Sequence, residues 1–232
     1  MMDLKKEKLA NEMKRNPFLV LSNFIFDSLY KDIIKLNIPP GTKLNESKIA
    51  LELGVSRTPV KHAINQLIKM GLVQKKDEKL SIVSPMGKEE SRSLYEARIA
   101  VEGYAAYLAA RRISEKDLSE LNFLVKEYIE IGKNINVQTY AECDHNFHSI
   151  IIKASGNDYI QEMYGSIKNR ILHYRRYLHY QIDKSSLQPV LTRASRHHQA
   201  IYNALFMGFS DVAKSEIESD IGGMLDIFSE WK

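Results

Sequence analysis

Apolar residues recur at helical spacing between Asn45 and Gly71 and divide that stretch into two short helices. Asn45 and Ser56 are residue types that cap helix starts, Gly54 suits the turn between the two helices, and Gly71 follows the second helix. The pattern therefore predicts a helix-turn-helix. Its apolar positions are Ile49, Ala50 and Leu53 in the first helix and Val60, Ala63, Ile64 and Leu67 in the second.

The flanking segments predict the rest of a winged helix. After Leu72-Val73 a polar run over 74–79 is followed by an apolar run over 80–83, which predicts a two-stranded wing with a basic tip. Apolar residues over 24–34 predict an amphipathic helix that covers the helix-turn-helix and is ended by the segment 38–41. Residues 1–20 predict a short basic helix or a frayed arm.

The second half of the chain has helical spacing throughout and no strand pattern. Segment 84–87 is the predicted linker, and Ser114 with Asp117 forms a capping box. Gly222-Gly223 is predicted to kink or fray the last helix. The fold prediction is mainly α, with a winged helix-turn-helix over 1–86 and an all-helical bundle over 87–232. The predicted bundle helices cover 88–112, 114–131, 137–154, 157–182, 187–207 and 210–229.

Charge and cysteine content narrow the functional classes. Residues 1–86 hold 15 Lys/Arg and 9 Asp/Glu of the 33 and 29 in the chain, so the positive charge is concentrated in the predicted winged helix. That distribution suits a polyanion partner for this half. One cysteine, Cys143, excludes an internal disulfide, and we expect a cytoplasmic protein. No apolar run approaches the ~18 residues of a membrane span, and no signal peptide is predicted.

The second helix of the predicted pair has a polar face suited to DNA. Arg57, Lys61 and Asn65 repeat every four residues on one side of it. A recognition helix needs such side chains to reach base edges and phosphates. The alternative is a solvated face of a helix that only packs on its other side.

The segment PPGTKLNESKIALELGVSRTPVKHAINQLIKMGLV, residues 39–73, resembles the N-terminal domain of GntR-family bacterial transcription regulators. The resemblance implies DNA contacts from Lys48, Arg57 and Lys61, with Thr58 shaping the helix entry. Lys61 replaces a family Arg and so lacks its bidentate fork. Leu80 stands where the family wing usually has Gly.

Acidic and histidine side chains interrupt apolar stripes in the second half. Asp144 and His148 lie one turn apart on one predicted buried face, and His198 and Asp220 interrupt two further stripes. Carboxylate and imidazole groups brought together in this way can hold a divalent metal ion. The alternative is a set of hydrogen-bonded Asp–His pairs that stabilise the core without an ion.

The pieces DHNFH (144–148) and HQAI (198–201) resemble the FCD effector domain of FadR-type GntR regulators. Metal-binding members of that family use one Asp and three His. The resemblance implies a site of Asp144, His148, His198 and, in place of the third His, Asp220. We expect Zn, Mn or Ni, with Mn favoured by the second carboxylate, and loss of the metal is the alternative outcome of the replacement.

Arg98 and Glu102 match the R-x-x-x-E of the first helix of the same domain. The resemblance places Arg98 near the effector cavity, where its fork can hold a carboxylate. Arg175 is a further candidate for the effector site. The alternative for the Arg98–Glu102 pair is an ordinary intrahelical ion pair worth about 0.3 to 0.5 kcal/mol.

Together these features predict a metabolite-responsive transcription regulator of repressor type. We expect a homodimer on double-stranded operator DNA, because two recognition helices give usable specificity. The expected effector is a small carboxylate bound beside the metal. Two alternatives stay open: a metal-dependent enzyme that uses the Asp/His cluster, and a constitutive DNA-binding protein with a metal-free scaffold domain.

Overall fold

A computed structural model of the 232-residue chain describes residues 6–77, 80–133, 137–181 and 184–229. The chain divides into two compact units, Met1–Met86 and Gly87–Lys232. The predicted fold class is confirmed: the chain is mainly helical, with one small sheet in the first unit. The elements of that unit are α1 (Lys6–Arg15), α2 (Leu21–Ile34), β1 (Lys43–Asn45), α3 (Glu46–Leu53), α4 (Arg57–Lys69), β2 (Val73–Lys75) and β3 (Leu80–Val83).

Helices α2 and α4 form the centre of the N-terminal unit, and their facing apolar side chains are almost fully buried. Helix α3 lies against α4, and Gly54 between them has a φ of 70°, a left-handed conformation that costs glycine little. The Asn45 side chain accepts a hydrogen bond from the Lys48 N–H at 3.0 Å, as predicted for a cap. Ser56 occupies the N-cap of α4 without such a bond, and Pro59, the third residue of the helix, has no N–H to donate.

The sheet has three antiparallel strands in the order β1-β3-β2, so the predicted hairpin β2–β3 is joined by a strand that the sequence did not predict. Strand β1 has only three residues and runs directly into the N-cap of α3, which leaves no alternating pattern to detect. Helix α2 ends at Ile34, earlier than the prolines suggested. The chain reverses there through Leu36, whose φ is 62°.

The C-terminal unit is a bundle whose interior contains charge. Helices α5 and α10 pack along much of their length, α6 packs on α7 and α9, and α7 also packs on α5 and α8. Arg98 is the largest fully buried side chain of the described residues. The helices are α5 (Lys88–Ala109), α6 (Glu115–Lys133), α7 (Val137–Ala154), α8 (Asp158–Gln181), α9 (Lys184–Met207) and α10 (Ser210–Ser229).

Two details of the bundle bear on the predictions. Ser114 caps α6, because the Asp117 N–H donates to its hydroxyl at 3.1 Å. Helix α10 runs from Ser210 through Gly222-Gly223 to Ser229, so the two glycines do not end it, and the predicted kink or fraying stays a prediction. Within the described ranges, no helix is both long enough and apolar enough to cross a lipid bilayer.

Candidate nucleic-acid interface and metal centre

A polar groove follows the exposed side of α4. Arg57, Thr58, Lys61 and Asn65, all four α4 residues predicted to bind DNA, line this groove and are exposed. Lys48 is exposed on α3, with its Nζ 3.9 Å from a Glu52 carboxylate oxygen. The structure therefore places the polar candidates on one face of α4 and leaves the opposite face to the core.

Arg57 begins α4 and is held from α3. Its Nη2 lies 3.5 Å from Oε2 of Glu46, whose side chain is largely buried while that of Arg57 is 57% exposed. One end of the guanidinium is thus positioned by a carboxylate and the rest faces solvent. The first turn of a helix attracts anions through its free N–H groups, so a phosphate or base edge at this point meets both the arginine and the helix end.

His62 lines the same groove and was missed by the sequence analysis. It lies one turn after Thr58 and is exposed. His62 does not belong to the four-residue repeat of Arg57, Lys61 and Asn65. It could have been predicted from Thr58, because residues four apart lie on the same face of a helix. Leu80, the departure in the wing, pairs with Asn45 within the sheet, while residues 78–79 of the predicted tip lie outside the described residues.

The predicted metal ligands of the bundle come together from three helices. Asp144 and His148 lie on α7, His198 on α9 and Asp220 on α10, and one ligand atom from each lies within 4.8 Å of the others. His198 Nε2 is 3.3 Å from Asp144 Oδ1 and 3.8 Å from Asp220 Oδ2. His148 Nε2 is 3.4 Å from Asp220 Oδ2 and 3.8 Å from Asp144 Oδ1. We call these four residues the acid–histidine cluster.

The chemistry of the acid–histidine cluster fits a divalent metal ion. The Nε2 atoms of both His148 and His198 are buried and have no hydrogen-bond partner of good geometry within the part of the chain that the structure describes. Buried ring nitrogens without a partner are costly, and a metal ion is one group that satisfies them. Two imidazoles and two carboxylates form a donor set that Zn and Mn accept.

A second layer of charge orients the cluster from α5. Glu102 Oε2 lies 2.7 Å from His148 Nδ1, and its other oxygen accepts a hydrogen bond from Arg98 Nε at 2.6 Å. A carboxylate on one ring nitrogen fixes a histidine and leaves the other nitrogen to face a metal. Arg98 is buried and also lies over the Tyr95 ring, 4.8 Å from its centroid.

Asp144 has its own arginine from α8. Arg175 Nη2 lies 2.5 Å from Asp144 Oδ2, and the Tyr128 hydroxyl donates to Asp144 Oδ1 at 3.3 Å. Burial would raise the pKa of Asp144, but Arg175, His148 and His198 lower it well below its usual range. Asp144 is therefore ionised and positioned before any ligand arrives. His197, the neighbour of His198, points elsewhere and lies 2.9 Å from Glu216.

A cavity of about 190 Å³ opens beside the cluster. The cluster residues Asp144 and Asp220 face it, as do Arg98 and Arg175 from the predicted effector set. Glu102 does not line it and instead holds Arg98 and His148. A third arginine of the lining, Arg193 of α9, was not predicted, because it follows no motif and occupies an exposed helical position.

Comparisons with known proteins agree with this two-unit arrangement. Residues 93–221 match the model of the FCD domain, and residues 21–79 match that of the bacterial regulatory proteins of the gntR family. The chain is similar to the HTH-type transcriptional repressor RspR of Escherichia coli (strain K12), with 28% identity over 195 residues, 84% of this chain and 82% of RspR.

Two further similarities are informative. The uncharacterized HTH-type transcriptional regulator YdhC of Bacillus subtilis (strain 168) is 26% identical over 196 residues, 83% of this chain and 84% of YdhC. The solved structure of E. coli McbR/YncC has a TM-score of 0.71 at 18% identity and covers 92% of this chain and 99% of its own. The structural likeness concerns the fold.

Proposed function

The chain belongs to the gntR family of bacterial regulatory proteins with an FCD domain and is a transcription regulator, and from that premise we propose that it is controlled by a small organic acid. The acid binds in the bundle cavity beside a divalent metal ion held by the acid–histidine cluster. Its binding alters the affinity of the winged helix for operator DNA.

The observation that carries the proposal is that the acid–histidine cluster lies beside a cavity lined by arginines. The Nε2 atoms of His148 and His198 face the two carboxylates of the cluster and, among the described residues, make no hydrogen bond of good geometry, while Arg98 and Arg175 line the cavity next to the cluster. A metal ion held by the cluster would supply a Lewis-acidic position for a carboxylate oxygen. The arginines add planar donors that match a carboxylate.

For DNA, we propose that the groove along α4 supplies the specific contacts. Arg57, Thr58, Lys61 and Asn65 are exposed on one face, and Lys48 projects from α3. Lys61 is a point charge that suits a phosphate better than a base edge. Such a protein acts where the chromosome lies, in the cytoplasm, and reads two half-sites as a homodimer.

A ligand-binding function is favoured over an enzymatic one, because the buried carboxylates are paired with arginines. Glu102 is held by Arg98 and Asp144 by Arg175. Burial would raise the pKa of Glu102, but Arg98 and His148 lower it to about 2. Carboxylates held in this way are weak bases, whereas a general base works best with a pKa near the operating pH.

The test combines metal analysis with operator binding. Purified untagged protein should contain one transition metal per chain, and operator affinity should change when a carboxylic acid is added to the metal-loaded protein. The probes are a DNA operator fragment selected for binding to this protein and a panel of organic acids. Operator binding that stays constant across the panel, with or without chelator, would support a scaffold role for the bundle instead.

A further inference from the structure

We propose that Glu46, the first residue of α3, is a positioning residue for Arg57 and directs its guanidinium to a base edge rather than to a phosphate. The inference rests on the proposed DNA contacts of α4 and deepens them, because it assigns part of the sequence discrimination to a residue that acts through Arg57. Its basis is the ion pair that joins the starts of α3 and α4 at the polar groove.

Glu46 is fixed in place by the elements on both sides of it. Asn45 pairs with Leu80 in the sheet, and its side chain caps α3 by accepting a hydrogen bond from the Lys48 N–H at 3.0 Å. Glu46 follows directly and lies in the first turn of α3, where free N–H groups favour a negative charge. Its side chain is 11% exposed. A largely buried carboxylate is therefore held at a defined position beside the start of α4.

Arg57 is the mobile partner of this pair. Its side chain is 57% exposed, and its Nη2 lies 3.5 Å from Glu46 Oε2. Among the described residues, Glu46 is the only carboxylate that pairs with it. Without this contact, an arginine at the start of a helix samples many rotamers, and binding DNA must then fix one of them. The contact restricts the guanidinium at one amino group and leaves the rest of the fork for a ligand.

The Glu46 carboxylate discriminates between the two kinds of group that DNA offers. A phosphate bound by Nη2 of Arg57 brings its negative charge close to Glu46, and like charges repel strongly where one of them is largely buried. A base edge is uncharged and meets no such repulsion. Specificity is a difference between affinities, so a group that opposes the unwanted contact contributes to it. Glu46 thus lowers the affinity of Arg57 for phosphate and preserves its affinity for a base.

The rest of the groove does not repeat this arrangement. Glu46 is the one acidic side chain among the described residues that line it. Lys61, one turn after Arg57, has no ion-pair partner within the described part of the chain, so its point charge is available to a phosphate. The other lining residues are Arg57, Thr58, His62 and Asn65.

The variant Glu46→Gln tests the proposal, because glutamine keeps the shape of the side chain and removes its charge. Affinity is measured for the selected operator fragment and for a scrambled duplex of the same length over a range of salt concentrations. The ratio of the two affinities should fall by about fivefold or more, the low end of what one base-reading pair contributes. For the scrambled duplex, the slope of log affinity against log salt should steepen by about 0.9, which is one additional phosphate contact. A residue that only stabilised the fold would not change this slope.

The chain supplies a matched control on the same helix. Glu52→Gln removes the same charge from α3, and Glu52 lies 3.9 Å from Lys48 Nζ but does not line the groove. It should leave the affinity ratio unchanged. In a protein that already carries Arg57→Ala, Glu46→Gln should have no further effect on the ratio, because the side chain that it positions is absent. Circular dichroism of each variant establishes that folded proteins are compared.

The outcomes separate this inference from the proposed function. An unchanged affinity ratio and salt slope in folded Glu46→Gln overturn the positioning role and leave the α4 contacts standing. The same holds for equal changes in Glu52→Gln, or for an effect of Glu46→Gln that persists when Arg57 is absent. Wild-type operator affinity in Arg57→Ala overturns the proposed contact of Arg57, and this inference with it.

Discussion

Replacing Glu102 by Gln tests whether the charge network of the bundle is structural as well as functional. Glu102 is 1% exposed, pairs with Arg98 and lies 2.7 Å from His148 Nδ1. Glutamine has nearly the same shape, so the variant removes the charge and leaves the packing in place. Arg98 then stays buried without its counter-charge.

The loss of unfolding free energy expected for Glu102→Gln is estimated in two ways. Breaking a buried ion pair by removing one partner costs about 3 to 5 kcal/mol. Burial raises the pKa of Glu102, but Arg98 and His148 lower it from 4.5 to about 2. That lowering corresponds to about 3 kcal/mol of stability. Because the folded-state pKa lies below the ordinary value, this contribution is fully present at neutral pH and down to about pH 4.5. It is lost as the pH falls from 4.5 through about 2.

The assay is urea and thermal unfolding at neutral pH with chelator present, followed by circular dichroism. For a bundle of this size about 3 kcal/mol lowers the melting temperature by roughly 6 to 12 °C. Glu96→Gln is the control: Arg92 and Glu96 make a pair with the same spacing on the same helix at 3.0 Å, but their side chains are 66% and 56% exposed. Its loss should stay under about 0.5 kcal/mol.

A loss in Glu102→Gln within 1 kcal/mol of that in Glu96→Gln would refute the estimate and return the pair to an ordinary intrahelical contact. The metal affinity of Glu102→Gln is a second, independent measurement. Removing a carboxylate that orients a ligating histidine typically weakens metal affinity by about 10- to 100-fold. Unchanged affinity would refute the orienting role of Glu102.

Three further variants test the other assignments. Arg57→Ala should weaken specific operator binding by roughly 10- to 150-fold in gel-shift titrations, whereas Lys69→Ala at the far end of α4 should have little effect; equal losses would contradict the assignment of α4. Asp144→Ala should lower metal content and melting temperature together. Part of the decrease in melting temperature should persist when chelator is present, because Arg175 is left unpaired. Metal content equal to that of the wild type would contradict the assignment of Asp144 as a ligand. Asp220→His should shift the metal preference from Mn toward Zn in competition titrations, and an unaltered preference would show that residue 220 does not bind the ion.

The fold followed from helical periodicity wherever the elements were long. The α3–α4 pair and the bundle helices were predicted because apolar residues repeat over several turns. Strand β1 was not predicted, since three residues cannot display an alternating pattern. Ser56 occupies the predicted N-cap position of α4, but its side chain makes no cap hydrogen bond. Short elements and single hydrogen bonds depend on neighbours that a periodicity does not identify.

The candidate metal-binding residues could be predicted from the sequence, whereas the residues that pair with them could not. Asp144, His148 and His198 interrupt apolar stripes, which indicates that they point inward. The pairing of Arg175 with Asp144 joins α8 to α7 and has no local signal. Gly222 and Gly223 were interpreted as a weak point of α10, whereas the helix continues through both to Ser229.

The location of the charge network explains how an acid could control this protein. Its members come from five helices: Arg98 and Glu102 from α5, Asp144 and His148 from α7, Arg175 from α8, His198 from α9 and Asp220 from α10. A ligand shifts a conformational equilibrium only through different affinities for its states. Any displacement of these helices changes distances within the network, so an ion or acid bound there has different contacts in each arrangement. A ligand that touched a single helix would lack that leverage, because the helix could move with the ligand attached.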